Sequence, residues 1–166
     1  MNAMNGKNRE TRDEERIDSA RVRWGILGTG KIAGKFASEL KRPEASRGSV
    51  AHAVASRDPE RARNFACEHG IPHACGSYDE LLERQDVDVV YIGLVNSQHY
   101  PVCKRALLAG KPVLCEKPFT LHPEETRELI ALYVNGDSSS WRDSGADVSR
   151  SLGKCAILSG AVNMAP

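Results

Sequence analysis

Nothing in these 166 residues approaches the run of ~20 apolar side chains that a membrane-spanning helix needs, so no membrane segment is expected. An excess of charge of one sign is missing too. The 23 basic residues face 22 acidic ones, which removes any global electrostatic case for nucleic acid or an anionic surface. Cysteine pairing is a third absence. Cys67, Cys75, Cys103, Cys115 and Cys155 are odd in number, and no two stand as C-x-x-C. Neither a disulfide framework nor a zinc site is indicated, and no metal is expected. Cys103 and Cys115 lie among apolar residues as small core hydrophobes, and a reducing, cytoplasmic compartment is expected. The N-terminal stretch lacks the apolar centre of a secretory signal and is too acidic for a mitochondrial presequence. Residues 1–21 therefore read as a disordered, solvated tail.

What is present begins at Val22. The apolar run Val22-Arg23-Trp24-Gly25-Ile26-Leu27 leads into Gly28-Thr29-Gly30-Lys31-Ile32-Ala33. A strand that stops in a glycine turn and restarts as a helix points several backbone N–H groups at one spot. The helix dipole adds partial positive charge there, which suits a pyrophosphate. Gly28 allows the tight turn, Gly30 lets the backbone approach phosphates, and the small Ala33 lets helix and strand pack closely. Gly28, Thr29, Gly30, Lys31 and Ile32 are thus candidate cofactor contacts. Alone the motif is weak, since glycine turns after strands are common.

The rest of the chain supplies the context. Periodicity predicts a helix over 31–40, a loop over 44–49, a strand over 50–55 and a helix from Pro59 that stops at Gly70. Asp58 suits its N-cap and Pro59 its first turn. A short strand over 71–75 and a brief helix over 79–83 follow. Residues 87–94 form the strongest strand signal. A helix over 101–109, a strand over 112–115 and a helix over 120–133 complete the series. Alternation of this kind implies parallel pairing with crossover helices on both faces, an α/β doubly wound parallel sheet. The length suits one well-cored domain, placed at 22–133.

Ligands of such sheets lie outside the carboxyl ends of the strands. After the second strand the chain offers Ser56 and Arg57 instead of the acid that often accepts from the ribose 2′-OH of NAD. A guanidinium binds phosphate through its planar fork and stacks on adenine. Arg57 therefore favours NADP, with NAD as the lesser possibility; a solvated arginine in an ordinary turn is the alternative. After the fourth and fifth strands come 96–99, with Asn96 and His99, and Glu116-Lys117-Pro118. A lysine held at a partly buried site serves in proton transfer, which makes Lys117 the catalytic candidate. His52, His69, His73 and His122 show no partner spacing and receive no role.

Together these residues resemble the glucose-fructose oxidoreductase, inositol dehydrogenase and rhizopine-catabolism (Gfo/Idh/MocA) family over roughly 23–133. The resemblance is carried by Trp24 to Ala33, Ser56-Arg57, Asn96-x-x-His99, and the block Ala109-Gly110-Lys111-Pro112-Val113-Leu114-Cys115-Glu116-Lys117-Pro118. The last block is specific, and it argues against a different enzyme on a similar sheet, such as a methyltransferase. The opening motif and Ser56-Arg57 look most like the NADP-dependent dihydrodiol and D-xylose dehydrogenase branch. The resemblance implies a Rossmann domain and hydride transfer between nicotinamide and a carbinol carbon of a small-molecule sugar, polyol or diol. It implies that Lys117, at the cofactor, contacts the reacting hydroxyl, that Glu116 and the loop Asn96 to His99 line the nicotinamide ribose, and that the Lys117-Pro118 bond corresponds to one often cis in the family.

Family members continue into a second α/β domain that holds substrate and often a homodimer interface. Residues 134–166 are instead polar and serine-rich, and are expected to be poorly ordered. The substrate domain is expected to be missing, as in a truncated product. Because orientation of substrate supplies much of a dehydrogenase's rate, the chain alone is expected to be a poor catalyst. A nucleotide-binding fragment without turnover, or a regulatory module, is the alternative.

Overall fold

The computed structural model describes residues 21–46 and 48–135. The expected tails, 1–21 and 134–166, lie outside the described residues except for Arg21, Val134 and Asn135.

Five strands form one sheet: β1 (Val22–Leu27), β2 (Ser49–Ala55), β3 (His73–Cys75), β4 (Val89–Ile92) and β5 (Val113–Cys115). Their order is β3-β2-β1-β4-β5, and every adjacent pair is parallel. Between and after them run α1 (Lys31–Leu40), α2 (Pro43–Ser46), α3 (Pro59–His69), α4 (Tyr78–Leu82), α5 (Asn96–Leu108) and α6 (Pro123–Asn135). β1 is central and contributes apolar side chains to the cores on both faces of the sheet. Val22, Trp24 and Ile26 pack into one core with Ala33 and Ala37 of α1 and Phe65 and Ala66 of α3. Leu27 joins the other core with Leu81 and Leu82 of α4, Val102, Cys103 and Ala106 of α5, and Leu129 of α6. Alternate residues of β4 divide the same way, Val89 and Tyr91 to the first core and Val90 and Ile92 to the second. The fold is the expected doubly wound α/β sheet.

Local signals placed most element ends. Asp58 Oδ1 accepts from the N–H groups of Glu60 at 2.9 Å and Arg61 at 3.4 Å, with Pro59 at the first turn of α3. Gly70 closes α3 in the left-handed region, φ 59°. Ser77 caps α4 through Glu80 N–H.

Two expectations are corrected. The segment read as a loop contains α2, a single turn begun by Pro43 with Glu44 behind it, both favourable at a helix N-terminus. The fifth helix starts at Asn96, not at Pro101, so that the proline stands inside it. The physical reason is the buried stripe of His99, Val102, Cys103 and Ala106, which runs at helical spacing straight past the proline. Burial of that face outweighs the one backbone hydrogen bond that Pro101 removes.

The amino ends of β1 and β4 are pinned by charge. Asp88, buried, accepts from Arg23 N at 2.7 Å, Nε at 3.1 Å and Nη2 at 2.8 Å. Beside it Lys111 Nζ donates to the carbonyls of Arg84 at 2.7 Å and Val87 at 2.8 Å. Burial is the main cause that lowers the Lys111 pKa, and the Arg23 charge acts in the same direction. No helix among the described residues is long and apolar enough to cross a membrane.

Candidate functional site

Strand order reverses at β1, which has β2 and β3 on one side and β4 and β5 on the other. Loops leaving the carboxyl ends of β1 and β4 therefore separate to opposite faces and leave a crevice. A cleft of about 630 Å³ lies there. It is lined by the glycine turn Gly28, Thr29 and Gly30, by a basic wall of Ser56, Arg57, Asp58 and Arg61 after β2, by Gly93, Leu94, Val95 and Gln98 after β4, and by Tyr78 of α4.

The turn is built for close backbone approach. Gly28 has φ +108°, and a Cβ there would stand 2.6 Å from the Gly93 carbonyl oxygen. Its N–H donates to Ala55 O at 2.9 Å, and Gly93 N–H donates to Leu27 O at 3.0 Å, so the sheet ladder continues beyond the strands and holds both turns in place. Gly30 is different. It is the N-cap of α1 in extended backbone, with no side-chain cap, and a Cβ on it would meet nothing within 4 Å. That open volume, directly over the first turn of a ten-residue helix, is what a phosphate needs. Ala33 is fully buried behind the turn. Ile32 and Val95, 43% and 62% exposed, give the cleft apolar edges.

Ser56 is buried, and its Oγ accepts from Asp58 N–H at 3.3 Å; Arg57 is exposed at the cleft mouth. Tyr78 stands close enough to feel Arg57. Burial raises the phenol's pKa, and the charges of Arg57, Arg105 and Arg61 oppose that rise.

The structure thus brings Gly28, Thr29, Gly30, Ile32, Ser56 and Arg57 into one cleft. Lys31, Asn96, His99, Glu116 and Lys117 do not line it. Lys31 and Asn96 are exposed. Glu116 Oε1 accepts from Tyr91 Oη at 2.7 Å. Tyr91 is stacked on Phe36 at 4.0 Å, and burial together with Glu116 pushes its phenol well above the usual range. His99 is fully buried. Its Nδ1 lies 2.7 Å from Pro118 O and its Nε2 3.0 Å from Leu94 O, so it ties the loop after β4 to the loop after β5. Lys117 follows β5, and its bond to Pro118 is cis. The partial burial expected of Lys117 is corrected: Lys117 is exposed, although Glu116 before it is held by Tyr91 and Phe119 after it packs against the core.

Arg61 and Tyr78 were missed by sequence reasoning, and Gln98 was marked only as part of the 96–99 loop. Signals existed for each. Arg61 falls in the first turn of the helix that Asp58 caps, so it shares an end with Arg57. Tyr78 follows the carboxyl end of β3, an edge loop like the others. Gln98 lies inside the 96–99 segment already singled out.

The crevice, the glycine turn and the basic wall define a nucleotide-binding Rossmann domain. The chain belongs to the oxidoreductase family with NAD-binding Rossmann fold, Gfo/Idh/MocA, whose model matches residues 22–137. Among relatives, it is 46% identical over 110 residues to trans-1,2-dihydrobenzene-1,2-diol dehydrogenase of Xenopus laevis, covering 66% of this chain and 33% of that one. Identity to the human enzyme of the same name is 44% over 110 residues. A 3-ketoreductase from Actinomadura kijaniata, solved in complex with NADP, superposes with a TM-score of 0.62 at 34% identity, covering 76% of this chain and 37% of that one. A UDP-N-acetylglucosamine 3-dehydrogenase from Acidithiobacillus ferrooxidans gives a TM-score of 0.58 at 33% identity, covering 68% and 34%. The chain spans about a third of the length of the relatives it matches.

Proposed function

We propose that this chain is the NADP-binding part of a dehydrogenase that acts on a carbinol carbon of a dihydrodiol or sugar. One observation carries the reading. Gly28 to Gly30, Ser56, Arg57 and Arg61 line a single cleft at the switch point of the sheet, so phosphate-binding backbone and guanidinium side chains face the same volume. The residues fit a dinucleotide. The open space over Gly30 takes the pyrophosphate at the α1 N-terminus. Arg57 and Arg61, with the Ser56 turn, take an adenosine 2′-phosphate through charge-assisted hydrogen bonds. When bound, the nicotinamide supplies the hydride acceptor or donor. Lys117, exposed beyond β5, holds or moves the proton of the reacting hydroxyl. Asn96, Lys31 and Glu116 are assigned to the cofactor side of that region, and His99 acts through the two loops it joins. The domain is assigned to 22–133, and any homodimer contact of the family to the substrate domain. A cytoplasmic location agrees with the free thiols of Cys67, Cys75, Cys103 and Cys115.

Isothermal titration of the chain with NADP and NAD tests this. NADP is expected to bind more tightly. Arg57→Ala should weaken NADP by about 10- to 100-fold, the worth of hydrogen bonds to a charged group at about 1.5–3 kcal/mol, while NAD changes little. Equal affinity for the two nucleotides, or equal losses for both on Arg57→Ala, would sink the specificity.

A further inference from the structure

His52, His73 and Asp86 are far apart in sequence, yet their ligand atoms all lie within 4.8 Å of one another. His52 Nε2 is 3.0 Å from Asp86 Oδ2, and His73 Nε2 is 4.0 Å from the same oxygen. The imidazoles meet edge-on, with centroids 4.8 Å apart. None of the three lines the nucleotide cleft. His73 opens β3 and Asp86 precedes β4, so the cluster sits away from the carboxyl edge where the cleft lies.

The backbone is irregular at the same place. Trp24 pairs with Ala51 and Gly25 pairs with Ala53, so the register shifts at His52, which has no partner on β1. An extra residue of this kind changes where a side chain is aimed, and this one is a histidine that meets a second histidine and a carboxylate.

We propose that His52, His73 and Asp86 bind one divalent ion of the zinc class, with water completing a tetrahedral shell. Imidazole nitrogen and carboxylate oxygen are its ordinary donors at about 2.0–2.2 Å, which sets tetrahedral donor atoms roughly 3.3 Å apart. The 3.0 Å and 4.0 Å separations from Asp86 bracket that spacing, and the two imidazole nitrogens lie within 4.8 Å of each other, so the site closes when the His73 ring turns toward His52 and Asp86. The ion takes the place of the proton between His52 Nε2 and Asp86 Oδ2, and that proton passes to solvent. The side chains of His52, His73 and Asp86 are 20%, 41% and 36% exposed, so an ion has a path in. Arg84 acts in two ways. Its Nε donates to Asp86 Oδ1 at 2.8 Å, which orients the carboxylate, and its Nη2 donates to Oδ2 at 2.5 Å, which competes for the ligand atom. The bound ion ties β2, β3 and the loop before β4 together.

The test is titration of the metal-stripped full chain with Zn²⁺ by calorimetry and with Co²⁺ by visible absorbance. One ion per chain is expected, with the intense visible bands of tetrahedral cobalt. His73→Asn and Asp86→Asn should each weaken binding by at least ~10-fold, whereas His69→Gln and Cys67→Ser should leave it unchanged. Arg84→Gln should tighten binding, because it frees Oδ2 and removes a positive charge; this gain does not arise from misfolding. Absence of stoichiometric binding, binding that survives His73→Asn, or an Arg84→Gln chain that binds no more tightly would each overturn the site.

Discussion

Gly28 and Gly30 belong to one turn but are glycines for different reasons. Gly28 is required by conformation and by space, since φ is +108° and the Gly93 carbonyl blocks a Cβ. Gly30 is required by neither, because its backbone is extended and nothing stands within 4 Å. Alanine should therefore separate folding from binding. Gly28→Ala is expected to destabilise the domain by at least about 1–3 kcal/mol, the strain of a non-glycine residue held at such an angle, with the clash against the Gly93 carbonyl added to it, and to lower its melting temperature. Gly30→Ala is expected to change stability by less than about 1 kcal/mol, yet to lose most NADP affinity, because the methyl group fills the phosphate volume. Thermal melts and calorimetric titration of both variants check the pair. Tight NADP binding by Gly30→Ala would show that the phosphates lie elsewhere. At the same scale the sequence marked His99 and Lys117 by motif alone. Their surroundings were illegible, because the carbonyls of Leu94 and Pro118 that face His99 come from two loops that only the fold brings together.

Among elements, α3 shows how much was local. Asp58, Pro59 and Gly70 state its beginning and end in the sequence, and the structure uses all three. Asp58→Ala removes the acceptor for two orphan N–H groups and should cost about 1 kcal/mol, read as a lower denaturant midpoint with an unchanged slope. It should also loosen the wall that carries Arg57 and Arg61, so NADP affinity falls more than NAD affinity. An affinity loss without a stability loss would instead make Asp58 a direct ligand contact. α5 shows the opposite case. Pro101 is a strong local stop or start signal, and tertiary burial of His99, Val102, Cys103 and Ala106 overrode it. β2 is intermediate. Its strand character over 50–55 was readable, but the register shift at His52 arises from pairing with β1 and has no signature in β2 alone.

For the whole molecule, the cleft is formed by segments from β1, β2, β4 and α4, so a ligand bound there holds several crossovers in place at once. A ligand that binds only the folded state stabilises it by mass action, by about 2.7 kcal/mol at a hundred times its dissociation constant. NADP should raise the melting temperature of the chain more than NAD at equal concentration, and the difference should shrink with added salt, since a 2′-phosphate contact is electrostatic. Equal shifts at all salt concentrations would count against the basic wall.

The amino-acid sequence by itself determined the parallel α/β sheet, the glycine turn and the helix caps, because these depend on periodicity and on contacts a few residues apart. It also carried the family through motifs that are each continuous in the chain. Only the tertiary structure decided which of the marked residues share a volume. It set Arg61, Tyr78 and Gln98 beside the glycine turn, left Lys117 exposed, buried His99 between two loops, and gathered His52, His73 and Asp86. Each of those outcomes depends on strand order and crossover packing, in which residues tens of positions apart become neighbours.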